Sequence, residues 1–178
     1  MDQAILEFIQ QHFRNSFTET FFTGVTFLGN SGFIWILISI GFLCTKAYRK
    51  QGIVLLAVLA ATFPLGDVLH KNLIQRPRPF QDFPTELLIT PPESYSFPSG
   101  HTSSSFAAAS VLFRIRKSWG TAAFVLAALI GFSRMFLLVH YPTDVLAGAA
   151  LGLLVGNIAC FFVEKIKGWV WNGKNSKV

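Results

Sequence analysis

The feature of this sequence that most constrains its fold is a series of apolar runs, most of them long enough to span a lipid bilayer as a helix. The runs predict spanning helices over residues 30–45, 52–71, 101–117, 119–138 and 143–164. A helix rises about 1.5 Å per residue, so about 20 residues cross a hydrocarbon core of about 30 Å. Of the 178 residues, 52% are hydrophobic and 13% are charged, which is more apolar surface than a soluble domain of this size can bury. We therefore predict an all-α fold, a polytopic membrane helix bundle with five or six spanning helices.

The residues before the first predicted span have a different pattern. Four apolar residues recur at helical spacing beside polar ones, namely Ile5, Phe8, Ile9 and Phe13. This pattern is typical of an amphipathic helix that lies in the membrane interface. Residues 17–28 are apolar but few, and form either a second interfacial helix or part of a sixth span. We favour interfacial N-terminal helices over 1–29, a helical bundle over 30–164 and a cytoplasmic tail over 165–178, all in one membrane-embedded domain.

The basic residues predict the orientation of the bundle. Ten of the 15 fall in three clusters between or after apolar runs: Lys46, Arg49 and Lys50; Arg114, Arg116 and Lys117; Lys165, Lys167, Lys174 and Lys177. If five spans alternate, these clusters share one face, which the positive-inside rule makes cytoplasmic. The net charge of +6 thus reflects topology, and the absence of a basic face with interleaved aromatics argues against nucleic acid as a partner. Four other basic residues lie at the outer face, where topology does not require them: Lys71, Arg76, Arg78 and Arg134.

Two polar segments come together at that outer face. In the first, Lys71 ends the second span, and the prolines around Arg78 stiffen the chain, which fixes a cation suited to phosphate. In the second, Ser99, Gly100 and His101 lead directly into the third span. Ser99 can donate a hydroxyl, Gly100 permits close backbone approach at a helix start that attracts anions, and His101 can give a proton to a leaving oxygen. An ordinary serine N-cap would explain Ser99 but not the glycine–histidine pair.

A third polar segment runs from residue 133 to residue 144. Pro142 marks a helix start, so His140 lies in a turn between two spans and Asp144 lies in the first turn of the next helix. A carboxylate that close can hold one ring nitrogen of the histidine and leave the other as a nucleophile. Arg134 adds a cation near the end of an apolar helix, which indicates a functional site.

The three segments together resemble a known family. Their spacings are Lys-x6-Arg-Pro from Lys71, Pro-Ser-Gly-His over 98–101, and Ser-Arg-x5-His-x3-Asp over 133–144. They match, in order, the three motifs of the type-2 phosphatidate phosphatase superfamily, which also includes soluble vanadium haloperoxidases and glucose-6-phosphatase. The resemblance covers about residues 52–164. The short N-terminus departs from the many bacterial members that begin with an additional spanning helix.

The resemblance implies a mechanism and a role for each motif residue. His140 attacks phosphorus and forms a phosphohistidine, Asp144 orients His140, and His101 protonates the departing lipid oxygen. The phosphate oxygens are bound by Lys71, Arg78, Ser99, Gly100 and Arg134. No metal or other cofactor is implied, because three cations can neutralise the charge that phosphoryl transfer develops. The expected substrate is a lipid phosphate or diphosphate among the membrane lipids, with undecaprenyl diphosphate or phosphatidylglycerol phosphate slightly favoured over phosphatidate and lipid A 1-phosphate. The expected location is a bacterial inner membrane, with the site on its outer, periplasmic face.

Other interpretations of the same residues are weaker. A metal hydrolase could use the outer-face histidines and carboxylates, but no His-Glu-x-x-His pair occurs and the excess cations would repel a divalent ion. A transporter would carry its charges at mid-depth rather than at one end, and the related peroxidases are soluble and larger. Asp67 either steers Lys71 or compensates its charge, and His70 is more simply an interfacial histidine.

Overall fold

The computed structural model describes residues 1–65, 71–83 and 86–166, and for Lys71 and Asn72 it describes the backbone alone. All regular structure within these residues is helical, which confirms the predicted all-α class. Eight α-helices follow in chain order: α1 (Asp2–Phe13), α2 (Ser16–Gly29), α3 (Phe33–Leu43), α4 (Arg49–Phe63), α5 (Lys71–Ile74), α6 (Gly100–Ile115), α7 (Lys117–Phe136) and α8 (Pro142–Glu164). Short 3₁₀ turns occur at Asn30–Gly32 and Pro79–Gln81.

The last three helices begin and end close to the predicted bounds, and the sequence marks the starts of α6 and α8 clearly. Ser99 is the N-cap of α6, and Pro142 occupies the first position of α8, where its missing N–H costs no hydrogen bond. The predicted span 52–71 corresponds to α4 and to the separate α5, and residues 66–70 between them lie outside the described part of the chain.

The first predicted span, 30–45, differs from the structure at its N-terminal end. α3 has only 11 residues and rises roughly 16 Å, about half of a bilayer core. In this part of the chain, the helical segment long enough to cross a membrane is Ser16–Leu43. It joins α2 and α3 across a break at residues 30–32. In the break, Ser31 and Gly32 adopt left-handed φ angles of 50° and 71°. Two other helices of the described chain are long and apolar enough to span a membrane, α7 and α8.

Helix α6 lies at the centre of the bundle, against α4, α7 and α8. Its Ala107, Ala108 and Ala109 are fully buried, so neighbouring backbones can approach closely. Helix α8 approaches so closely that a Cβ added to its Gly152 would be 2.3 Å from the carbonyl oxygen of Ser103. Gly148 and Gly156 face α6 in the same way. Because these three glycines are four residues apart, they lie on one face of α8, and that face is a packing surface against α6.

The two ends of the bundle are distinct. At one end, Trp119 at the start of α7 packs against Phe42 in the last turn of α3 and Tyr48 of the α3–α4 connection, and Arg114 pairs with Glu164 at 3.2 Å. This end carries the described members of the basic clusters. The connections between α5 and α6 and between α7 and α8 lie at the opposite end. There the amphipathic α1 buries Leu6 and Ile9 on the α7–α8 turn and exposes Phe8.

Candidate active site

His140 lies in the turn between α7 and α8, where the chain reverses direction within five residues. The turn is fixed by hydrogen bonds from the Val139 and His140 N–H groups to the Arg134 carbonyl oxygen, at 3.1 and 3.2 Å. Leu138 adopts a left-handed φ of 55°, and Pro142 then starts α8. The imidazole of His140 is only 2% exposed, so its polar partners are protein groups.

One ring nitrogen of His140 faces a carboxylate. Its Nδ1 lies 3.6 Å from Oδ2 of Asp144 and 3.4 Å from Oγ of Ser96. The Ser96 hydroxyl donates to the same carboxylate oxygen at 2.5 Å, and the Tyr141 N–H donates to it at 2.8 Å. Because an ionised carboxylate only accepts hydrogen bonds, this arrangement favours the tautomer with the proton on Nδ1 and the lone pair on Nε2.

The surroundings also keep His140 uncharged. Burial, together with the nearby Arg134 and Arg78 guanidinium groups, lowers the pKa of His140 to about 3, against the opposing effect of Asp144. A neutral ring at physiological pH has an available lone pair, which is the state that a nucleophile requires.

Arg78 lies beside the second ring nitrogen of His140. Its Nη1 is 3.4 Å from Nε2 and donates to the Val139 carbonyl oxygen at 2.7 Å. On its other side, Nε donates to the Ser94 carbonyl oxygen at 2.6 Å. These carbonyl groups hold the guanidinium in place, and so put a fixed cation next to the atom that would attack a phosphate.

Arg134 is the second buried cation at this position. It is 3% exposed, and its Nη1 donates to Oγ1 of Thr26 on α2 at 2.6 Å. Its buried Nε has no hydrogen-bond partner among the described residues. A buried cationic donor without a partner is costly, and an anionic ligand is the kind of group that would satisfy it.

The N-terminus of α6 forms the opposite wall. Ser99 is fully buried and caps the helix, because its Oγ accepts from the Thr102 N–H at 3.4 Å and from the Thr102 hydroxyl at 2.9 Å. It is not among the residues that line the cavity, whereas Gly100 and His101 are. Ser99 thus holds the start of α6 in place, and a hydroxyl bond from it to phosphate remains a prediction.

These groups line one cavity of about 1000 Å³. Its polar end contains Arg78, Gly100, His101, Arg134 and His140. Its other walls are largely apolar and come from α3 and α4, with Ile36, Leu56, Leu59 and Phe63 among them. The structure therefore brings five of the eight predicted site residues to one cavity, with Asp144 directly behind His140 and Ser99 beneath Gly100. The side chain of Lys71 lies outside the description, as do Asp67 and His70.

Two residues of the site have no role in the sequence prediction. Ser96 bridges His140 and Asp144, as described above. Arg76 donates to Oδ1 of Asp144 at 2.5 Å and to Oδ2 of Asp2 at 2.8 Å, and its guanidinium lies over the Tyr141 ring at 4.0 Å. For Arg76 the sequence contained one indication. Arg76 and Arg78 are two residues apart, and residues with this spacing in an extended segment face the same side.

Comparison with known proteins now decides the family. The model of the PAP2 superfamily matches residues 47–167. The chain belongs to the PAP2 superfamily. Among curated PAP2 relatives, it is 38% identical over 158 residues to phosphatidylglycerophosphatase B of Bacillus subtilis, with 82% of the chain and 75% of the relative covered. It is 35% identical over 132 residues to undecaprenyl-diphosphatase of Sulfolobus acidocaldarius, with 72% and 64% covered.

Solved structures give the same result for the fold. The crystal structure of a transmembrane PAP2-type phosphatidylglycerolphosphate phosphatase from Bacillus subtilis aligns with a TM-score of 0.81 at 30% identity, covering 95% of the chain and 87% of that structure. The structure of Aquifex aeolicus LpxE aligns with a TM-score of 0.78 at 28% identity, covering 90% and 94%. These findings confirm the predicted PAP2 family and the predicted class, an integral membrane lipid phosphatase and hence a hydrolase.

Proposed function

We propose that the chain hydrolyses a lipid phosphate or diphosphate by transferring the phosphoryl group to Nε2 of His140. The observation that carries this proposal is the environment of the His140 ring. Nδ1 faces Asp144 and Ser96, while Nε2 faces Arg78 at one end of a cavity that Arg134 also lines. A neutral imidazole with a lone pair beside two buried cations suits attack on a phosphate.

In the first step, the Nε2 lone pair of His140 forms a bond to phosphorus as the bond from phosphorus to the lipid oxygen breaks. Arg78 and Arg134 bind the phosphate oxygens, and the Arg134 Nε thereby gains an acceptor. Asp144 stabilises the positive charge that develops on the ring, since its carboxylate lies 3.6 Å from Nδ1. His101 gives its proton to the departing lipid oxygen.

In the second step, water attacks the phosphohistidine and restores the enzyme. His101, now neutral, takes the proton from that water as the new oxygen–phosphorus bond forms and the nitrogen–phosphorus bond breaks. Lys71 and the Gly100 N–H complete the phosphate site in this proposal. The Gly100 N–H belongs to the first turn of α6, where the positive end of the helix dipole favours an anion.

The proposed substrate has a small head group and an apolar chain. The polar end of the cavity suits a phosphate or diphosphate, and its apolar walls from α3 and α4 suit a lipid chain. Two relatives are named for phosphatidylglycerol phosphate and for undecaprenyl diphosphate, which supports these two lipids as first candidates.

The proposed topology has five crossings, made by Ser16–Leu43, α4, α6, α7 and α8, with α1 in the outer interface. Alternating directions bring the α3–α4 connection, the α6–α7 junction and the end of α8 to one face, where the basic clusters lie. The positive-inside rule makes that face cytoplasmic and the active site periplasmic in a bacterial inner membrane.

The test is phosphate release by the purified protein from a panel of undecaprenyl diphosphate, phosphatidylglycerol phosphate, phosphatidate and lipid A 1-phosphate. We expect release from at least one lipid in the presence of a chelator, and none by His140→Gln. The control is His12→Gln, the same change on the exposed face of α1, which should keep full activity. Undiminished activity of His140→Gln would contradict the proposed mechanism, and activity lost with chelator would favour a metal hydrolase.

A further inference from the structure

The ring of His101 is held by the break between α2 and α3, a contact that the proposed mechanism does not use. Oδ1 of Asn30 lies 2.9 Å from Nε2 of His101. An amide oxygen can only accept a hydrogen bond, so this contact requires the hydrogen to be on Nε2 of His101.

The backbone of α2 lies against the same edge of that ring. A Cβ added to Gly29 would be 2.8 Å from Cδ2 of His101 and 2.8 Å from Cγ2 of Ile130. Gly29 and Asn30 together therefore cover the Cδ2–Nε2 edge of the imidazole. The opposite edge of the ring carries Nδ1, and His101 is itself a lining residue of the cavity.

The break fixes Asn30 in this position. Asn30 is the C-cap of α2, and its N–H donates to the Phe27 carbonyl oxygen. Ser31 and Gly32 then take left-handed φ angles, so the chain turns away at once into α3. Asn30 thus has a defined backbone on both sides and holds its amide at the mouth of the active site.

We propose that Asn30 is a positioning residue that keeps the proton of His101 on Nε2 and directs Nδ1 to the departing oxygen. The inference rests on the proposed function. In the imidazolium, Nε2–H stays bound to Asn30 while the Nδ1 proton moves to the lipid oxygen as the phosphorus–oxygen bond breaks. Nδ1 then accepts the proton of the attacking water.

The charges in the cavity explain why a contact between Asn30 and His101 matters for the protonation of His101. Arg78 and Arg134 are cations that oppose a positive charge on His101, and His140 is neutral as long as it is not phosphorylated. The amide oxygen of Asn30 carries partial negative charge and favours the imidazolium without adding a full charge that would repel the phosphate.

The test compares two leaving groups in Asn30→Ala. With the lipid phosphate that the wild type hydrolyses fastest, kcat should fall about tenfold, because one hydrogen bond to the general acid is lost. With p-nitrophenyl phosphate, whose leaving group needs little protonation, kcat should change less than about twofold. The matched control is Asn157→Ala. It removes the same kind of side-chain amide from an exposed position in the C-terminal half of α8.

Two further variants separate a positioning role from a structural one. In His101→Ala, adding Asn30→Ala should cost nothing more, because the residue that Asn30 acts through is gone. Asn30→Asp should move the alkaline limb of the pH–rate profile to higher pH, since a carboxylate favours the imidazolium. Because this change is isosteric, it replaces Asn30→Ala as the test if Asn30→Ala does not fold. Equal losses on both substrates, or a further loss in the double variant, would overturn the inference alone. A wild type that releases no phosphate from any lipid would overturn the proposed function and the inference with it.

Discussion

At the scale of single residues, the two histidines should differ in their dependence on the leaving group. His140→Ala should abolish turnover of every substrate, because no phosphoenzyme can form. His101→Ala should lower kcat about 10²–10⁴-fold with a lipid leaving group and much less with p-nitrophenyl phosphate. The measurement is acid-labile, base-stable phosphate on the protein, mapped by mass spectrometry during turnover. Phosphate on His101 instead of His140 would reverse the two roles.

The geometry of the two residues at the centre of the proposed mechanism could be predicted because their spacing is local. His140 and Asp144 are four residues apart. Pro142 between them indicates the start of α8, and this helix start brings the two side chains together. Their supporting partners are distant in the chain. Ser96 and Asn30 were missed, and Arg76 was identified only as an outer-face cation that topology does not require. Ser96 is 48 residues from Asp144, Arg76 is 68 residues from it, and Asn30 is 71 residues from His101. Such contacts are products of tertiary packing. Nothing in the local pattern of a serine or an asparagine indicates them, and the spacing of Arg76 and Arg78 indicates a shared side but not the partner Asp144.

At the scale of elements, the contact between α8 and α6 should not tolerate a side chain at Gly152. A Cβ there would be 2.3 Å from the Ser103 carbonyl oxygen and 3.0 Å from the Ala107 N atom, so the α6 backbone itself would have to move. Gly152→Leu should lower the midpoint of thermal unfolding in detergent by at least about 5 °C. The control is Gly41→Leu in α3, where no atom lies within 4 Å of an added Cβ. Equal midpoints for the two variants would show that α8 does not pack as described.

The helices themselves were predictable where turn residues punctuate the apolar runs. Ser99 and Pro142 mark the starts of α6 and α8, and the predicted bounds are correct to within two residues. The boundary between α2 and α3 lies close to residue 30, where the sequence analysis separates the N-terminal helices from the bundle. The sequence did not indicate that α2 and α3 together form a helical segment long enough to span a membrane. The boundary between α2 and α3 is marked by Gly29-Asn30-Ser31-Gly32, four residues that all favour turns.

At the scale of the whole molecule, the proposed topology rests on the agreement of helix direction with charge. In the proposed topology, helices α3, α4, α6, α7 and α8 alternate in direction. The end that carries the basic residues is also the end where Trp119 packs on Phe42 and Tyr48. The residues proposed to be catalytic lie at the other end, where α1 packs on the α7–α8 turn. One orientation in the membrane thus determines which compartment supplies the water and receives the phosphate.

The two cysteines allow this orientation to be measured. Cys44 is exposed at the end of α3 beside a basic cluster, and Cys160 is buried in α8. A membrane-impermeant thiol reagent added to intact cells should therefore label neither, whereas after permeabilisation it should label Cys44. The control places a cysteine at the active-site end, as Glu93→Cys in a Cys44→Ser background, because Glu93 is exposed in the loop before α6. That cysteine should react in intact cells. Labelling of Cys44 from outside, with Glu93→Cys protected until permeabilisation, would invert the molecule and put the active site in the cytoplasm.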